Sequence, residues 1–389
     1  MASKILLISL LLLAFPMMFI PGIALKFPPL YQVFLLLLVL LKGLEVFLTS
    51  KINKELLKYS LLLLLFCIYL FFNNSQLSQI ISISSYILIL LVMRFEYAKT
   101  IYLNKKIINN LLAFLYYFFM SYAIIQVIIF YLFDISYLLD FKLYLTSELF
   151  NTNPMDPNQG WNRKFRPSSF FAEPSFFGFY IALYTIFRFD NNYKFPFTFL
   201  IFNILILHLM GNRSGEVILI CMFFFINFEK LFGKQIAIVF FSITLISIFV
   251  LVSYFSQEIL LNVTLENTDG SIVERIKLFM MGIEIYQDHI LFGIGLGNVG
   301  NYIYLNELYN YPIANLVNMY LQFLTEVGTI GLLILIYYFK KLFTYSYSTI
   351  ALLMLFFLLG GYALFYIFLF SLFNSIYLQE SYSENFISK

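Results

Sequence analysis

Residues 162–187 read NRKFRPSSFFAEPSFFGFYIALYTIF. The first half carries Arg163, Lys164, Arg166 and Glu173. From Phe176 to Phe187 there is no charge at all. This is a polar loop running into an apolar helix. Charges and prolines at such a boundary are costly, and chains rarely keep them without a use.

The same alternation of charged connection and apolar run extends over the whole chain. Its 389 residues are 61% hydrophobic and 12% charged, where a soluble domain has about 25% charged residues. Mean hydropathy is +0.87. The sequence predicts an all-α polytopic integral membrane protein forming a single membrane domain over 1–389. A net charge of +3, thinly spread, gives no footprint for nucleic acid. Cys67 and Cys221 fall in different apolar spans, so no disulfide is expected.

A spanning helix needs about 20 apolar residues. Candidate spans are 4–24, 28–49, 58–73, 77–93, 109–133, 168–187, 195–211, 216–228, 235–255, 315–339 and 343–378. The last is broken by Gly360-Gly361 and reads as one tilted helix or two short ones, giving about 11–12 transmembrane helices. Residues 4–22 resemble a signal peptide, but no A-x-A site follows, so they are read as a retained first span.

Basic residues set the sides. The connections with Lys51/Lys54/Lys58, Arg94/Lys99/Lys105/Lys106, Arg188/Lys194, Lys230/Lys234 and Lys340/Lys341 alternate along the chain. All five fall on one face if the N-terminus is cytoplasmic. The opposite, outer face then carries two long loops, 134–167 and 256–312, and the short turn 211–215.

Arg166, Arg213 and Arg275 all fall on that outer face. The spans starting near Ser168 and Gly215 run inward, so their N-termini, with free N–H groups and the positive dipole end, face out. Helix N-termini with arginines suit an anionic headgroup, above all a pyrophosphate, which the guanidinium fork binds bidentately. The plainer alternative is that the arginines snorkel to lipid headgroups or pair with carboxylates. Arg166 and Glu173, seven apart, would share a helix face. Pro167 suits a first helical position, and Pro174 would loosen the helix after Glu173. Glu173 is either a general base or a partner that holds an arginine in place.

Residues 271–290 repeat apolar positions at Ile272, Ile276, Phe279, Ile283, Tyr286 and Ile290. This predicts an amphipathic helix lying along the outer membrane surface. Gly293, Gly295 and Gly297 follow without a preceding strand. They read as a glycine hinge re-entering the membrane and not as a nucleotide fingerprint. His289 beside Asp288 is a candidate base, though such a pair is more often structural. His208, inside a span, reads as a satisfied core residue. Trp161 is either an interfacial anchor or a sugar-stacking plane. No His/Cys/carboxylate set has metal-ligand spacing, so neither a metal nor another cofactor is expected.

Four stretches together resemble the O-antigen polymerase and ligase superfamily, specifically its Wzy-type polysaccharide polymerases. RPSSFFAEPS at 166–175 resembles the first arginine motif, with Glu173 and Gly178 in place. NRSG at 212–215 resembles the second, matching Arg213 and Ser214. DHILFGIGLGN at 288–298 resembles the close of the large outer loop. NLVNMYLQFLTEVGTIG at 315–331 resembles the next span, with Asn318, Glu326, Gly328 and Gly331 matching.

The resemblance implies a GT-C-like membrane glycosyltransferase in the bacterial cytoplasmic (inner) membrane, with its active site facing outward and no metal or nucleotide sugar. Its partners would be undecaprenyl-pyrophosphate-linked donor and acceptor oligosaccharides, membrane lipid and a chain-length regulator. The product would be a capsule, lipopolysaccharide O-antigen or other envelope glycan. Arg166 and Arg213 would bind the donor pyrophosphate, with Arg275, Ser214, Asn318 and Trp161 as further substrate contacts. Glu173 and His289 are the candidates for the base. Ligases of the superfamily show a histidine ahead of an H-N pair where this chain has Tyr311-Pro312-Ile313-Ala314-Asn315, and no histidine occurs after His289. That departure favours a polymerase. A flippase or other transporter is the main rival from a different class. It would show charges within its spans forming a central path and similar halves, whereas ionisable residues inside the spans are few here (Lys42, Glu45 and Glu326) and loop sizes are uneven.

Overall fold

A computed structural model describes residues 37, 39–41, 53–133, 174–191, 197–210, 213–244, 247, 270–305, 316, 318–358 and 371–379. The expected spans 4–24 and most of 28–49, the loop 134–167, Trp161, Arg166 and Glu173 lie outside the described residues, as does 256–269. The described residues form helices and no strand. In chain order these are α1 (Lys54–Phe72), α2 (Leu77–Phe95), α3 (Ala98–Leu103), α4 (Lys105–Phe133), α5 (Pro174–Asp190), α6 (Phe197–Leu209) and α7 (Arg213–Phe232). After these come α8 (Lys234–Thr244), α9 (Gly270–Asp288), α10 (Val299–Leu305), α11 (Met319–Leu342), α12 (Tyr347–Leu358) and α13 (371–379).

Among the described residues, α1, α2, α4 and α11 are long and apolar enough to cross a membrane. Leu61, Leu65, Phe72, Phe114, Leu205 and Leu333 stay exposed along the helices. A soluble surface would not carry so continuous an apolar face, which lipid covers at no cost. The chain is an all-α polytopic membrane protein.

The five basic connections are tied into one chain of contacts. Asn53 Nδ2 donates to Phe95 O at 3.2 Å. Arg94 donates to Gln379 of α13, and Lys105 Nζ lies 5.1 Å from the Tyr377 ring centre. Asp190, at the end of α5, accepts from Tyr347 N at 2.9 Å, Ser348 N at 2.7 Å, Ser348 Oγ at 2.7 Å and Asn374 Nδ2 at 2.5 Å. Tyr345 OH donates to Glu229 at 3.0 Å, and Lys234 Nζ sits 3.2 Å over the Tyr345 ring. Burial, and then the Glu229 carboxylate, push the Tyr345 hydroxyl pKa up from its ordinary value. The connections that share a sign thus gather at one end of the bundle, as the alternating lysines require.

The described residues of the 343–378 stretch form two helices, α12 and α13. Ser371 Oγ donates to Ser348 O at 3.1 Å, whereas one continuous helix would hold these residues about 34 Å apart. Two other span boundaries also differ from expectation. α7 runs Arg213–Phe232, longer than 216–228. Its polar ends, Arg213-Ser214 and Asn227 to Lys230, dilute the hydropathy but stay helical. α6 ends at Leu209, and His208 in its last turn is not a core residue.

The core centres on α4, α5 and α6. Tyr116 stacks on Tyr184 with ring centres 4.5 Å apart, and its hydroxyl donates to the buried Asn203. Within a membrane such polar pairs join helices where apolar contact alone gains little over lipid.

Candidate functional site

The starts of α5 and α7 are set together by two glycines. A Cβ placed on Gly215 would lie 2.5 Å from Gly178 O and 3.0 Å from Gly178 Cα. Only a hydrogen at Gly215 lets the two backbones come this close. Gly178 is four residues into α5, about 6 Å along its axis, and Gly215 is two residues into α7, about 3 Å. The two helices run parallel, because their far ends, Asp190 and Glu229, both reach the 345–348 segment. Two helix N-termini therefore open side by side, with Arg213 as the first residue of α7. Pro174 is the first residue of α5, where its missing N–H loses no partner. Glu173 is the next residue before it in sequence. The side chains of Arg213 and Ser214 lie outside the described part, so the backbone alone places them.

His208 stands at this end as well. Its side chain is 70% exposed and its Nδ1 lies 3.0 Å from Glu216 Oε1, across the 211–215 turn. The expectation of a satisfied core histidine is corrected. One helical turn after Arg213, Glu216 holds His208 at the mouth of the α6–α7 hairpin. An exposed His–carboxylate pair was legible only once the turn was known to fold α6 back on α7.

The glycine stretch after α9 builds a second junction. α11 is broken at Gly328, which has φ 64° and ψ −176°, about 14 Å from the helix start. The break frees backbone groups on both sides, and the 290–295 segment satisfies them. Ile294 N donates to Thr325 O and Gly295 N to Glu326 O, both at 2.9 Å. Thr329 N donates to Ile290 O at 2.9 Å and Ile330 N to Leu291 O at 3.2 Å. Tyr69 OH donates to Val327 O at 2.6 Å. The α1–α2 turn closes over the loop: Gln76 N donates to Leu296 O at 2.9 Å, and Leu296 N to Ser75 Oγ at 2.8 Å. Gly293, at φ 72°, packs its Cα against the Glu326–Gly328 backbone, where a Cβ would meet Glu326 O at 2.5 Å. Non-helical backbone within an apolar helix survives only when protein satisfies it, and here the 290–295 segment does so.

Glu326 sits at the break, fully buried. Its Oε1 accepts from Gln322 Nε2 at 3.3 Å, the Gly297 and Val299 backbones approach the carboxylate, and its Oε2 makes no close hydrogen bond among the described residues. Asn318 caps α11, its Oδ1 accepting from Leu321 N at 3.0 Å. His289 is half-buried, its ring edge-on to Tyr302 at 5.7 Å. Arg275 lies in α9, with its side chain outside the described part.

α9 exists as expected but turns a different face inward. Leu278, Gly282 and Ile285 are buried against Leu316 and Leu321. The expected stripe of Phe279, Ile283 and Tyr286 is half-exposed, and Ile290 is exposed. The reason is Gly282: the side chain of Leu321 would meet its Cβ at 2.6 Å. A glycine in the contact face is invisible to a count of apolar side chains. At least this face of α9 lies on protein and not on the membrane surface.

The comparison with protein families bears on this same region. Residues 198–336 match the family model described as O-antigen ligase. The match is consistent with the O-antigen polymerase and ligase superfamily and covers the α6–α7 hairpin, α9, the glycine loop and most of α11. It supports a role in lipid-linked glycan processing and is consistent with a bacterial membrane protein. No curated protein and no solved structure matches the chain. The family model does not reach residues 166–178, and α5, which follows the first arginine stretch in sequence, packs on α6 and α7 inside the matched region.

Proposed function

We propose that the chain is a Wzy-type polysaccharide polymerase. It transfers the growing glycan from undecaprenyl pyrophosphate onto one new lipid-linked repeat unit, on the outer face of the bacterial cytoplasmic membrane. The observation that carries this reading is the Gly178–Gly215 contact, which brings the starts of α5 and α7 together. Two positive dipole ends then share one small region with Arg213, and with the Arg166–Glu173 stretch that leads into α5. Such a region suits the four-fold anionic oxygens of a pyrophosphate better than it suits a neutral sugar.

In the reaction, the acceptor hydroxyl oxygen forms a bond to the anomeric carbon of the growing glycan. The bond from that carbon to the pyrophosphate oxygen breaks, and undecaprenyl pyrophosphate leaves with the electron pair. Arg166 and Arg213 hold the charge that develops on the leaving oxygen, and electrostatic support of this kind is usually the largest catalytic term. The hydroxyl proton passes to a base, for which Glu173 and His289 are the proposed groups. Arg275, Ser214, Asn318 and Trp161 are proposed substrate contacts. A chain-length regulator is a proposed partner, and the N-terminus is placed in the cytoplasm with the basic end of the bundle.

The description of the family model favours one second reading, a ligase that passes the finished glycan to a different acceptor. The absence of any histidine after His289 supports the polymerase instead. In cells, Arg166→Ala and Arg213→Ala should each abolish polymerisation while the protein reaches the membrane in normal amount. Normal chain length with either variant would remove that arginine from the donor site. Full-length lipid-linked polymer that fails only to reach its final acceptor would select the ligase.

A further inference from the structure

We propose that the groove between α1 and α11, at the basic end of the bundle, binds an anionic phospholipid from the surrounding leaflet. This site is remote from the proposed chemistry and does not depend on it. The groove encloses about 750 Å³ and is lined by Lys54, Leu57, Lys58, Leu61, Leu65 and Leu333, among others. Lys54 and Lys58 are four apart, so they share one face of α1 with the leucines that follow. Both lysines are exposed. Leu61 is 55%, Leu65 61% and Leu333 60% exposed, so an apolar slot stands open below a pair of cations.

The dimensions and charge choose the occupant. From Lys54 to Leu65 is about 16 Å along α1, roughly half of a ~30 Å hydrocarbon core. The slot is therefore one leaflet deep: acyl chains fit along Leu57, Leu61 and Leu65 with a phosphate at the lysines. Tyr59 and Tyr337, with ring centres 6.2 Å apart, stand at headgroup level, where amphipathic rings are favoured. A cationic pair attracts an anionic lipid and gives a zwitterionic one little. The other groove on α11, of about 260 Å³, has Lys340 as its single lysine and lacks the pair.

Native mass spectrometry of the detergent-purified full chain tests this, with phosphatidylglycerol and phosphatidylcholine of identical acyl chains. The wild type should retain phosphatidylglycerol about thirtyfold better, from two lysine contacts. Lys54→Gln with Lys58→Gln should bring it down to the phosphatidylcholine level. Lys106→Gln, at the same end but outside the groove, should leave the preference unchanged. Leu61→Trp, which fills the slot without touching charge, should lower phosphatidylglycerol retention, and excess glycerol 3-phosphate should not displace the lipid. Equal retention of the two lipids by the wild type would overturn the proposal. A preference that survives the double lysine variant, an unaltered Leu61→Trp protein, or displacement by the free headgroup would each do the same.

Discussion

Gly215→Ala is the smallest change that separates the two helix starts. The new Cβ would lie 2.5 Å from Gly178 O, 2.7 Å from its carbonyl carbon and 3.0 Å from its Cα. All three are backbone atoms, so no side chain can swing aside. Ordinary contact begins at 3.4 Å, so the helices must part by about 0.9 Å. Overpacking of this kind costs about 1–3 kcal/mol. Alanine returns about 1 kcal/mol of helix propensity over glycine, which leaves a net loss of about 0–2 kcal/mol. Function should suffer far more, since about 1 Å of misplacement at a reacting centre costs on the order of a hundredfold in rate. The variant should melt within a few degrees of wild type yet polymerise roughly a hundredfold more slowly. Gly215→Leu should lose both stability and activity. The assays are thermal melting in detergent and the rate of polymer formation on lipid-linked repeat units. Wild-type polymerisation by Gly215→Leu would refute the claim that this contact builds the site.

Four further outcomes are expected, one from the basic end of the bundle and three from the break in α11. Asp190→Asn turns an amide toward donors that now converge on a carboxylate, and should cost about 3 kcal/mol, read as a lower melting temperature and faster proteolysis. Gly328→Ala must adopt φ 64° and push its Cβ to 2.6 Å from Gly293 N. It should cost about 1–3 kcal/mol and open the 290–295 segment to hydrogen exchange. Glu326→Gln keeps the Oε1 acceptor and the volume of a buried side chain that has no ion pair among the described residues, so its melting should change by less than about 1 kcal/mol. Glu326→Ala leaves a cavity and should cost about 2–3 kcal/mol.

Some of this architecture was legible in the sequence because its signals are one-dimensional. The alternating lysines ordered the connections, and contacts from Asn53 through Arg94, Asn374 and Asp190 to Tyr345 now join them at one end. The glycines at 293–297 announced a tight irregular segment, and all three stand at positive φ. The partner of that segment was not legible. Gly328 sits in an apolar run that reads as unbroken helix, and only the five freed backbone groups on either side of it explain the loop. Gly282 misdirected the reading of α9 by the same mechanism, since hydropathy does not see a contact made through a missing side chain. His208 looked like core because hydropathy ignores which face of a helix is left uncovered. The first and second arginine stretches were each recognisable by resemblance, but the close approach of α5 and α7 depends on Gly215, a hydrogen that no periodicity reveals.

Purified protein given a synthetic undecaprenyl-pyrophosphate-linked repeat unit, with no nucleotide sugar and no added metal, tests the central claim most directly. The account predicts a ladder of products spaced by one repeat unit, lost in Arg166→Ala and Arg213→Ala. A repeat unit that stays monomeric but crosses the bilayer of proteoliposomes would contradict the account and make the protein a transporter.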